Sequence, residues 1–203
     1  MNRRSLERRL ESVAGFDDPR VEWEQYPTPA PLAAHLVHLA ALQGDFDRPV
    51  VDLGTGTGML ALGARLLGAT EVVGVDRDPS ALAIAVANAD RVDAPGVSWV
   101  LGDATRPPLC PREATVLMNP PFGAQHGREH ADRAFLDAAR RLARVTYSVH
   151  NAGSRGFVEA FADDAGGTVT HAFGAEFDLD RQFAFHTSER HTLDVEVFRV
   201  VWE

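Results

Sequence analysis

The hydrophobic and polar positions in the larger, C-terminal part of the chain follow two different periods in turn. Short apolar runs with the length of β-strands occur at 50–53, 71–76, 97–101, 114–118 and 145–149. Between them, apolar residues recur every three or four positions, which predicts helices at 59–67, 80–91, 131–143 and 155–164. Strands that alternate with helices form parallel βαβ units, so this region predicts a doubly wound sheet covered by helices.

The last part of the chain breaks this alternation. Residues 168–177 and 192–202 alternate apolar and polar side chains, and no helical pattern separates them. Such segments form half-buried strands, and we expect them to pair as an antiparallel hairpin. The prediction is therefore an α/β fold with a seven-stranded, mostly parallel sheet that ends in an antiparallel C-terminal hairpin.

The first part of the chain predicts helices rather than a further strand. Apolar residues share one face of a helix over 3–13, and a second helix is predicted over 31–42. The segment 24–29 between them contains two prolines, each of which disfavours a helical conformation at the residue before it. We therefore expect a single domain of 203 residues, in which 1–48 supplies helices and a loop and 49–203 forms the core.

The composition is that of a globular protein with an unusual choice of charged residues. Hydrophobic residues make up 45% of the chain, and no apolar run reaches the roughly 20 residues of a membrane helix. The net charge is −9 and all 20 basic residues are arginine, which indicates a halophilic or high-GC source. Strong salt would screen the repulsion that otherwise opposes nucleic-acid binding. We expect a cytoplasmic protein, and the single cysteine, Cys110, excludes an internal disulfide.

A glycine-rich segment, 52–58 with the sequence DLGTGTG, joins the first core strand to its helix. Glycine allows a tight turn and the close approach of a ligand, and the helix N-terminus that follows offers free N–H groups to a carboxylate. The glycines stand at every second position, which differs from the spacing of dinucleotide-binding loops. This spacing favours S-adenosylmethionine, which has no pyrophosphate. A structural turn without a ligand is the alternative.

Two carboxylates stand at the ends of the next two strands. Asp76 ends the second strand, and an aspartate there can accept hydrogen bonds from both hydroxyls of a ribose. Asp78, directly before Pro79, is the better candidate for the N-cap of the following helix, which leaves Asp76 free. Asp103 follows the third strand, next to Ala104, where a carboxylate can accept from the amino group of an adenine.

The sequence Asn119-Pro120-Pro121-Phe122, at the end of the fourth strand, carries the most specific chemistry. An amine conjugated to an aromatic ring is a poor nucleophile because its lone pair is delocalised. The side-chain oxygen of Asn119 and the carbonyl oxygen of Pro120 can each accept one N–H group and so direct the lone pair at a methyl carbon. The prolines stiffen the loop, and Phe122 offers a face on which a base can stack. These four residues are the predicted catalytic set, and a proline turn that ends the strand is the alternative.

These motifs, taken with EQYPT at 24–28, MNPPFG at 118–123, FH at 185–186 and DVEV at 194–197, resemble the methyltransferase-like protein 5 family over nearly the whole chain. The resemblance implies a Rossmann-like class I methyltransferase that uses S-adenosylmethionine to make N6-methyladenosine in small-subunit (16S) ribosomal RNA. It also implies that the loop before the core covers the cofactor. The residues expected to bind the cofactor are Gln25, Thr28, Asp52, Gly54, Thr57, Gly58, Met59, Asp76, Asp103 and Ala104.

The same resemblance implies a protein partner. Members of that family work as a heterodimer with a small zinc-binding activator of the tRNA methyltransferase subunit 112 type, which extends the sheet at an edge strand. We expect this edge to be the strand from Val97 to Leu101, with Trp99 as an anchor. One segment departs from the family, because 187–191 is nearly neutral where a basic run is frequent. Arginines elsewhere, including those near the N-terminus, are the remaining candidates for phosphate contacts.

Two other interpretations remain open. A protein-glutamine N5 methyltransferase of the release-factor type would act on a similarly delocalised nitrogen, although such enzymes usually have Tyr at the position of Phe122. A non-catalytic subunit that binds the cofactor and assists RNA assembly would keep the glycine loop without transferring a methyl group. No metal is expected, because His126 and His130 stand four positions apart with no third ligand evident.

Overall fold

The computed structural model describes residues 1–110, 113–121, 131–179 and 191–203. The α-helices of this part are α1 (Arg3–Leu10), α2 (Ala30–Leu42), α3 (Met59–Leu66), α4 (Pro79–Arg91), α5 (Ala131–Leu142) and α6 (Arg155–Asp164). The strands are β1 (Val50–Leu53), β2 (Val72–Asp76), β3 (Val97–Leu101), β4 (Ala114–Met118), β5 (Ala143–Asn151), β6 (Gly167–Leu179) and β7 (His191–Trp202). Short 3-10 helices stand at Val21–Trp23 and Asp45–Asp47. No helix in the described ranges is both long and apolar enough to cross a membrane.

The strands form one sheet in the order β3-β2-β1-β4-β5-β7-β6. Strands β1 to β5 are parallel, and β7 is antiparallel to both of its neighbours, β5 and β6. The predicted seven-stranded sheet with an antiparallel C-terminal hairpin is confirmed, and β3 is an edge strand as predicted. The order reverses between β1 and β4, and in open α/β sheets the crevice at the carboxyl ends of such strands receives the ligand.

The observed elements differ from the predicted ones at their ends. Helix α1 ends at Leu10 rather than at residue 13, because the N–H groups of Ser12 and Val13 bond to carbonyls three residues back and tighten the turn. Strand β5 is longer than the predicted 145–149, because it pairs with β7 as far as Asn151. These differences leave the order and the type of every predicted element unchanged.

The central strands are buried on both faces. Every residue of β1 and β4 is buried, which is typical of parallel strands covered by helices. The N-terminal helices belong to the same core, since Leu6 and Leu10 of α1 are fully buried and α1 packs against α2 and α3. The first 48 residues therefore share one hydrophobic core with the sheet.

A buried polar cluster joins the N-terminal segment to the far strands. The hydroxyl of Tyr147 donates to the carboxylate of Asp45 at 2.5 Å, and Arg199 donates to both oxygens of that carboxylate at 2.9 and 3.0 Å. The hydroxyl of Thr115 donates to the Asp45 carbonyl at 2.6 Å. Burial, and then the neighbouring carboxylate, raise the pKa of Tyr147, so its hydroxyl remains a donor at neutral pH. The cluster fixes β4, β5 and β7 against the 3-10 helix that precedes β1.

Candidate cofactor and methyl-transfer site

A cavity of about 640 Å³ opens at the carboxyl ends of β1, β2 and β4, at the switch point of the sheet. Its walls come from the segment before α2, from the glycine loop, from the ends of β2, β3 and β4, and from the first turns of α5. The predicted residues that line it are Gln25, Thr28, Gly54, Thr57, Met59, Asp76, Asp103, Ala104, Asn119 and Pro121. Eight of the ten predicted cofactor-binding residues and two of the four predicted catalytic residues therefore meet in one cavity.

The glycine loop turns as its sequence predicts. Gly54, Gly56 and Gly58 have φ angles of 72°, 53° and 94°, which lie in the left-handed region that favours glycine. The N–H groups of Gly54 and Thr55 both donate to the carbonyl of Val75 at 2.9 Å, which fixes the loop over the end of β2. Gly58 stands at the N-cap of α3 and does not line the cavity, so it contributes to the turn of the loop and not to the cavity wall.

Asp52 lies beneath this loop and holds it from the side of the core. Its carboxylate accepts hydrogen bonds from the hydroxyl of Thr55 at 2.7 Å and from the N–H of Ala61 at 3.0 Å. Burial raises the pKa of Asp52 to about 7, against the opposing effect of the two hydrogen bonds. Asp52 does not line the cavity, so its effect on a cofactor passes through Thr55, and direct contact remains a prediction.

Asp76 connects the glycine loop with the end of β2. One of its oxygens accepts the N–H of Gly56 at 2.8 Å and the other accepts the N–H of Asp78 at 2.9 Å. Burial raises the pKa of Asp76, and the backbone hydrogen bonds oppose that rise. A carboxylate has about four acceptor positions, so Asp76 retains capacity for the hydroxyls of a ribose.

Asp103 lines the cavity at the end of β3, next to Gly102, whose N–H donates to the carbonyl of Asp76 at 2.8 Å. One of its oxygens accepts both the N–H and the hydroxyl of Thr105, at 2.9 and 2.7 Å. Burial opposes ionisation, but the Thr105 hydrogen bonds and then the charges of Arg77 and Arg106 outweigh it and hold the pKa of Asp103 below its usual value. With Ala104 buried beside it, this ionised acceptor suits the amino group of an adenine.

Gln25 fixes the covering segment, residues 23–28, which lines the cavity before α2. Its Nε2 donates to the carboxylate of Asp78 at 2.7 Å, and its Oε1 accepts the N–H of Arg20 at 2.8 Å. Asp78 also caps α4 by accepting the N–H of Ser80 at 2.9 Å, as its position before Pro79 predicted. Because both ends of the Gln25 amide have partners within the protein, this residue shapes the cover of the cavity, and its contact with a cofactor stays a prediction.

Asn119 stands at the end of β4 and directs its amide to the cavity. Its Nδ2 donates to the hydroxyl oxygen of Thr28 at 3.0 Å. Its Oδ1 is buried and has no hydrogen-bond partner in the described part of the chain. A buried acceptor without a hydrogen-bond partner destabilises a fold by about 1–3 kcal/mol, so a ligand that donates to Oδ1 would remove this penalty. Pro120 is buried, Pro121 lines the cavity, and Phe122 lies outside the described residues.

The sequence did not predict the aromatic part of the wall, which consists of Phe16, Trp23, Tyr26 and Phe135. A Cβ atom on Gly56 would lie 3.0 Å from the ring of Phe16, and one on Gly54 would lie 3.2 Å from the ring of Phe135. The glycines therefore leave space for rings as well as for a turn. Flat apolar walls of this kind suit stacking with a purine.

Strand β3 is at the edge of the sheet, but its Trp99 ring points into the fold. A Cβ atom on Gly74 would lie 2.6 Å from this ring, and one on Gly58 would lie 2.9 Å from it. Trp99 thus packs against β2 and the glycine loop instead of projecting as an anchor. The large hydrophobic side chain that β3 leaves exposed is Leu101, at 60%.

The remaining candidate groups add no site to this cavity. No three His, Cys, Asp or Glu side chains come together as metal ligands within the described residues. His126 and His130 lie outside those residues. Among the arginines of α1, Arg9 donates to the carbonyl of Val92 at 2.8 Å, while the other three are exposed.

Sequence comparisons relate the chain to two groups of methyltransferases. A family model described as ribosomal protein L11 methyltransferase matches 36–99, which contains the glycine loop, β2 and the first three residues of β3 but not the Asn-Pro-Pro segment. The rRNA N(6)-adenosine-methyltransferase Mettl5 of Drosophila melanogaster is 34% identical over 202 residues, covering 97% of this chain and 94% of that protein. METTL5 of Danio rerio is 31% identical, covering 98% of each chain.

Solved structures extend the similarity to the fold. A crystal structure of a proposed RNA methyltransferase from Pyrococcus horikoshii superposes with a TM-score of 0.89 at 36% identity, covering 100% of this chain and 98% of that one. Magnesium protoporphyrin IX methyltransferase from Synechocystis, solved with bound S-adenosylmethionine, shares the fold with a TM-score of 0.66 at 17% identity, covering 97% and 90% of the two chains.

Proposed function

This chain belongs to the family of rRNA N6-adenosine methyltransferases that includes the METTL5 proteins, and we propose that it methylates N6 of an adenosine in small-subunit (16S) ribosomal RNA. Membership of the family makes it an S-adenosylmethionine-dependent RNA methyltransferase. The observation that carries the finer proposal concerns Asn119, which lines the cavity and whose Oδ1 is buried without a hydrogen-bond partner among the described residues.

The cavity has the features that S-adenosylmethionine requires. The glycine loop leaves room for close approach of a ligand. Asp76 offers acceptors for the hydroxyls of a ribose, and Asp103 offers an ionised acceptor for the amino group of an adenine. The rings of Phe16 and Phe135 flank the loop. When bound, the cofactor supplies an electrophilic methyl group on a positively charged sulfur.

Asn119 makes the target nitrogen nucleophilic. Its Oδ1 accepts one N–H of the adenine amine, and the carbonyl of Pro120 is proposed to accept the other, so the nitrogen lone pair leaves conjugation with the ring. A nitrogen–carbon bond forms as the carbon–sulfur bond breaks, and the electron pair of that bond remains on sulfur. The nitrogen becomes positive during transfer, and the two fixed oxygens stabilise that charge before a proton leaves to water. Two prolines limit the motion of these acceptors.

The proposed complex includes a small zinc-binding activator of the tRNA methyltransferase subunit 112 type, bound as a heterodimer at β3. In support, β3 pairs with β2 on one side and has no strand partner on its other side within the described ranges. An unpaired strand edge offers backbone donors and acceptors to a strand of another chain. Leu101 adds an exposed apolar side chain at that edge.

The test is methyl transfer by the purified chain, with and without this activator, to small-subunit RNA lacking the modification, followed by mass spectrometry of its nucleosides. We expect N6-methyladenosine from the wild type, and a rate about 10²–10³-fold lower from Asn119→Ala, which lacks one acceptor of the transition state. Asn151→Ala is the matched control, because its exposed amide at the end of β5 does not line the cavity.

Other outcomes would replace this proposal. Methyl groups found in protein rather than RNA would favour the glutamine-specific alternative, in which the same loop activates an amide nitrogen. Binding of S-adenosylmethionine in calorimetry without methyl transfer to RNA or protein would favour the non-catalytic subunit. An Asn119→Ala variant with wild-type rates would refute the mechanism even if RNA is the substrate.

A further inference from the structure

We infer that Thr28 is a positioning residue that sets the orientation of the Asn119 amide, so that the segment covering the cavity also prepares the catalytic acceptor. The inference rests on the proposed function. Thr28 is 91 residues from Asn119 in sequence, yet its hydroxyl oxygen accepts the Nδ2 of that amide at 3.0 Å. Thr28 is itself buried, at 9% exposure, and lines the same cavity.

The orientation of this amide decides whether the site can act. An asparagine side chain presents either an acceptor, Oδ1, or a donor, Nδ2, when it rotates by half a turn about its last bond. The target amine offers N–H groups, so only Oδ1 directed to the cavity provides a hydrogen bond that favours the lone pair. The opposite orientation would place two N–H donors against each other.

Thr28 favours the productive orientation once the amine is present. With Oδ1 directed to the amine, Nδ2 needs an acceptor in a buried place, and the Thr28 hydroxyl is the partner that the structure gives it. Oδ1 has no competing donor among the described residues, so the amide is attached at its nitrogen end alone. Without the hydroxyl, the productive orientation would leave Nδ2 unsatisfied.

Gln25 attaches the covering segment to the fold separately from Thr28. Its amide bonds to Asp78 on one side and to the N–H of Arg20 on the other. This attachment holds the segment next to the end of β2, whereas Thr28 contacts the end of β4. The position of the segment over the cofactor therefore does not depend on the Thr28 hydroxyl alone, and the two roles can be separated by mutation.

The test compares Thr28→Val with Thr28→Ser in the complex used for RNA methylation. Valine keeps the shape of threonine but removes the acceptor, so we expect kcat to fall by about 10-fold to 100-fold. The dissociation constant for S-adenosylmethionine, from calorimetry, should stay within about twofold of the wild type, because Gln25 still holds the segment. Thr28→Ser keeps the hydroxyl and should restore most of the rate. Thr168→Val, on exposed β6, controls for the substitution itself.

A second background makes the inference falsifiable. Asp at position 119 has two equivalent oxygens, so its orientation does not matter. In an Asn119→Asp background, Thr28→Val should therefore lose much less than it does in the wild type. Equal losses in both backgrounds, or a full rate in Thr28→Val alone, would overturn the inference. A weakened S-adenosylmethionine affinity with unchanged kcat would also overturn it, by assigning Thr28 to the cofactor only. A wild-type complex that is inactive on RNA would instead refute the proposed function, and the inference with it.

Discussion

Replacement of Asp52 by Asn should change how the stability of the protein depends on pH. The carboxyl of Asp52 is buried, and its pKa is about 7 in the fold, against 3.8 in the absence of the fold. At a pH between these two pKa values, Asp52 has lost its proton in the unfolded chain but keeps it in the folded chain. The contribution of Asp52 to the free energy of unfolding is therefore largest below about pH 4. It decreases as the pH rises from about 4 to about 7 and stays constant above that.

The size of the effect follows from the separation of the two pKa values. Each pKa unit corresponds to about 1.4 kcal/mol, so the Asp52 contribution between pH 5 and pH 8 is on the order of 3 kcal/mol. For a chain of this length, that is a difference in Tm of roughly 6–12 °C. Asn at position 52 can still accept from Thr55 and Ala61 through its oxygen, but it has no proton to lose.

The assay is thermal unfolding of wild type and Asp52→Asn at intervals from pH 5 to pH 8, followed by circular dichroism. We expect the wild-type Tm to fall relative to that of Asp52→Asn as the pH rises. Asp47→Asn, on an exposed side chain, controls for the loss of one negative charge. Parallel curves for wild type and Asp52→Asn would show that the buried carboxyl does not titrate in this range.

Three further substitutions test the packing. Gly74→Ala would bring a methyl group to 2.6 Å from the Trp99 ring. We expect denaturant unfolding to show a loss of about 1–3 kcal/mol in stability. A stability equal to that of the wild type would mean that the ring moves aside without cost. Gly156→Ala in α6 meets nothing within 4 Å, so it should stabilise the protein by about 0.5–1 kcal/mol, and any loss would contradict the open space. Tyr147→Phe removes a donor to the buried Asp45 carboxylate, so urea unfolding should show a loss of about 1–3 kcal/mol in stability. An unchanged stability would mean that the hydrogen bonds from Arg199 alone satisfy this carboxylate.

Much of the fold could be predicted from sequence because the signals are local. Short apolar runs mark β1 and β4, and helical spacing marks the elements between the strands. The end of β5 was not predictable in this way. Its extension to Asn151 depends on pairing with β7, which is a contact between distant parts of the chain.

At the site, too, local sequence predicts some features, while contacts between distant parts of the chain determine the others. The turn of the glycine loop follows from its three glycines, and the place of Asn119 follows from the end of a strand. The partners of these groups do not follow from local sequence, because the bond between Thr28 and Asn119 spans 91 positions. The inward ring of Trp99 was unpredictable for a related reason. Alternation along β3 tells which side chains share a face, but not which face meets a glycine.

The position of β7 has a consequence for how the chain reaches this fold. Strand β7 follows β5 and β6 in the sequence, yet it lies between them in the sheet. During synthesis on the ribosome, β5 and β6 therefore have no common neighbour, and each exposes an unpaired edge until β7 emerges. Among the described strands, β6 hydrogen-bonds to β7 alone, so it cannot join the sheet before β7 has been made, and until then the free edge of β5 is open to a strand of another chain.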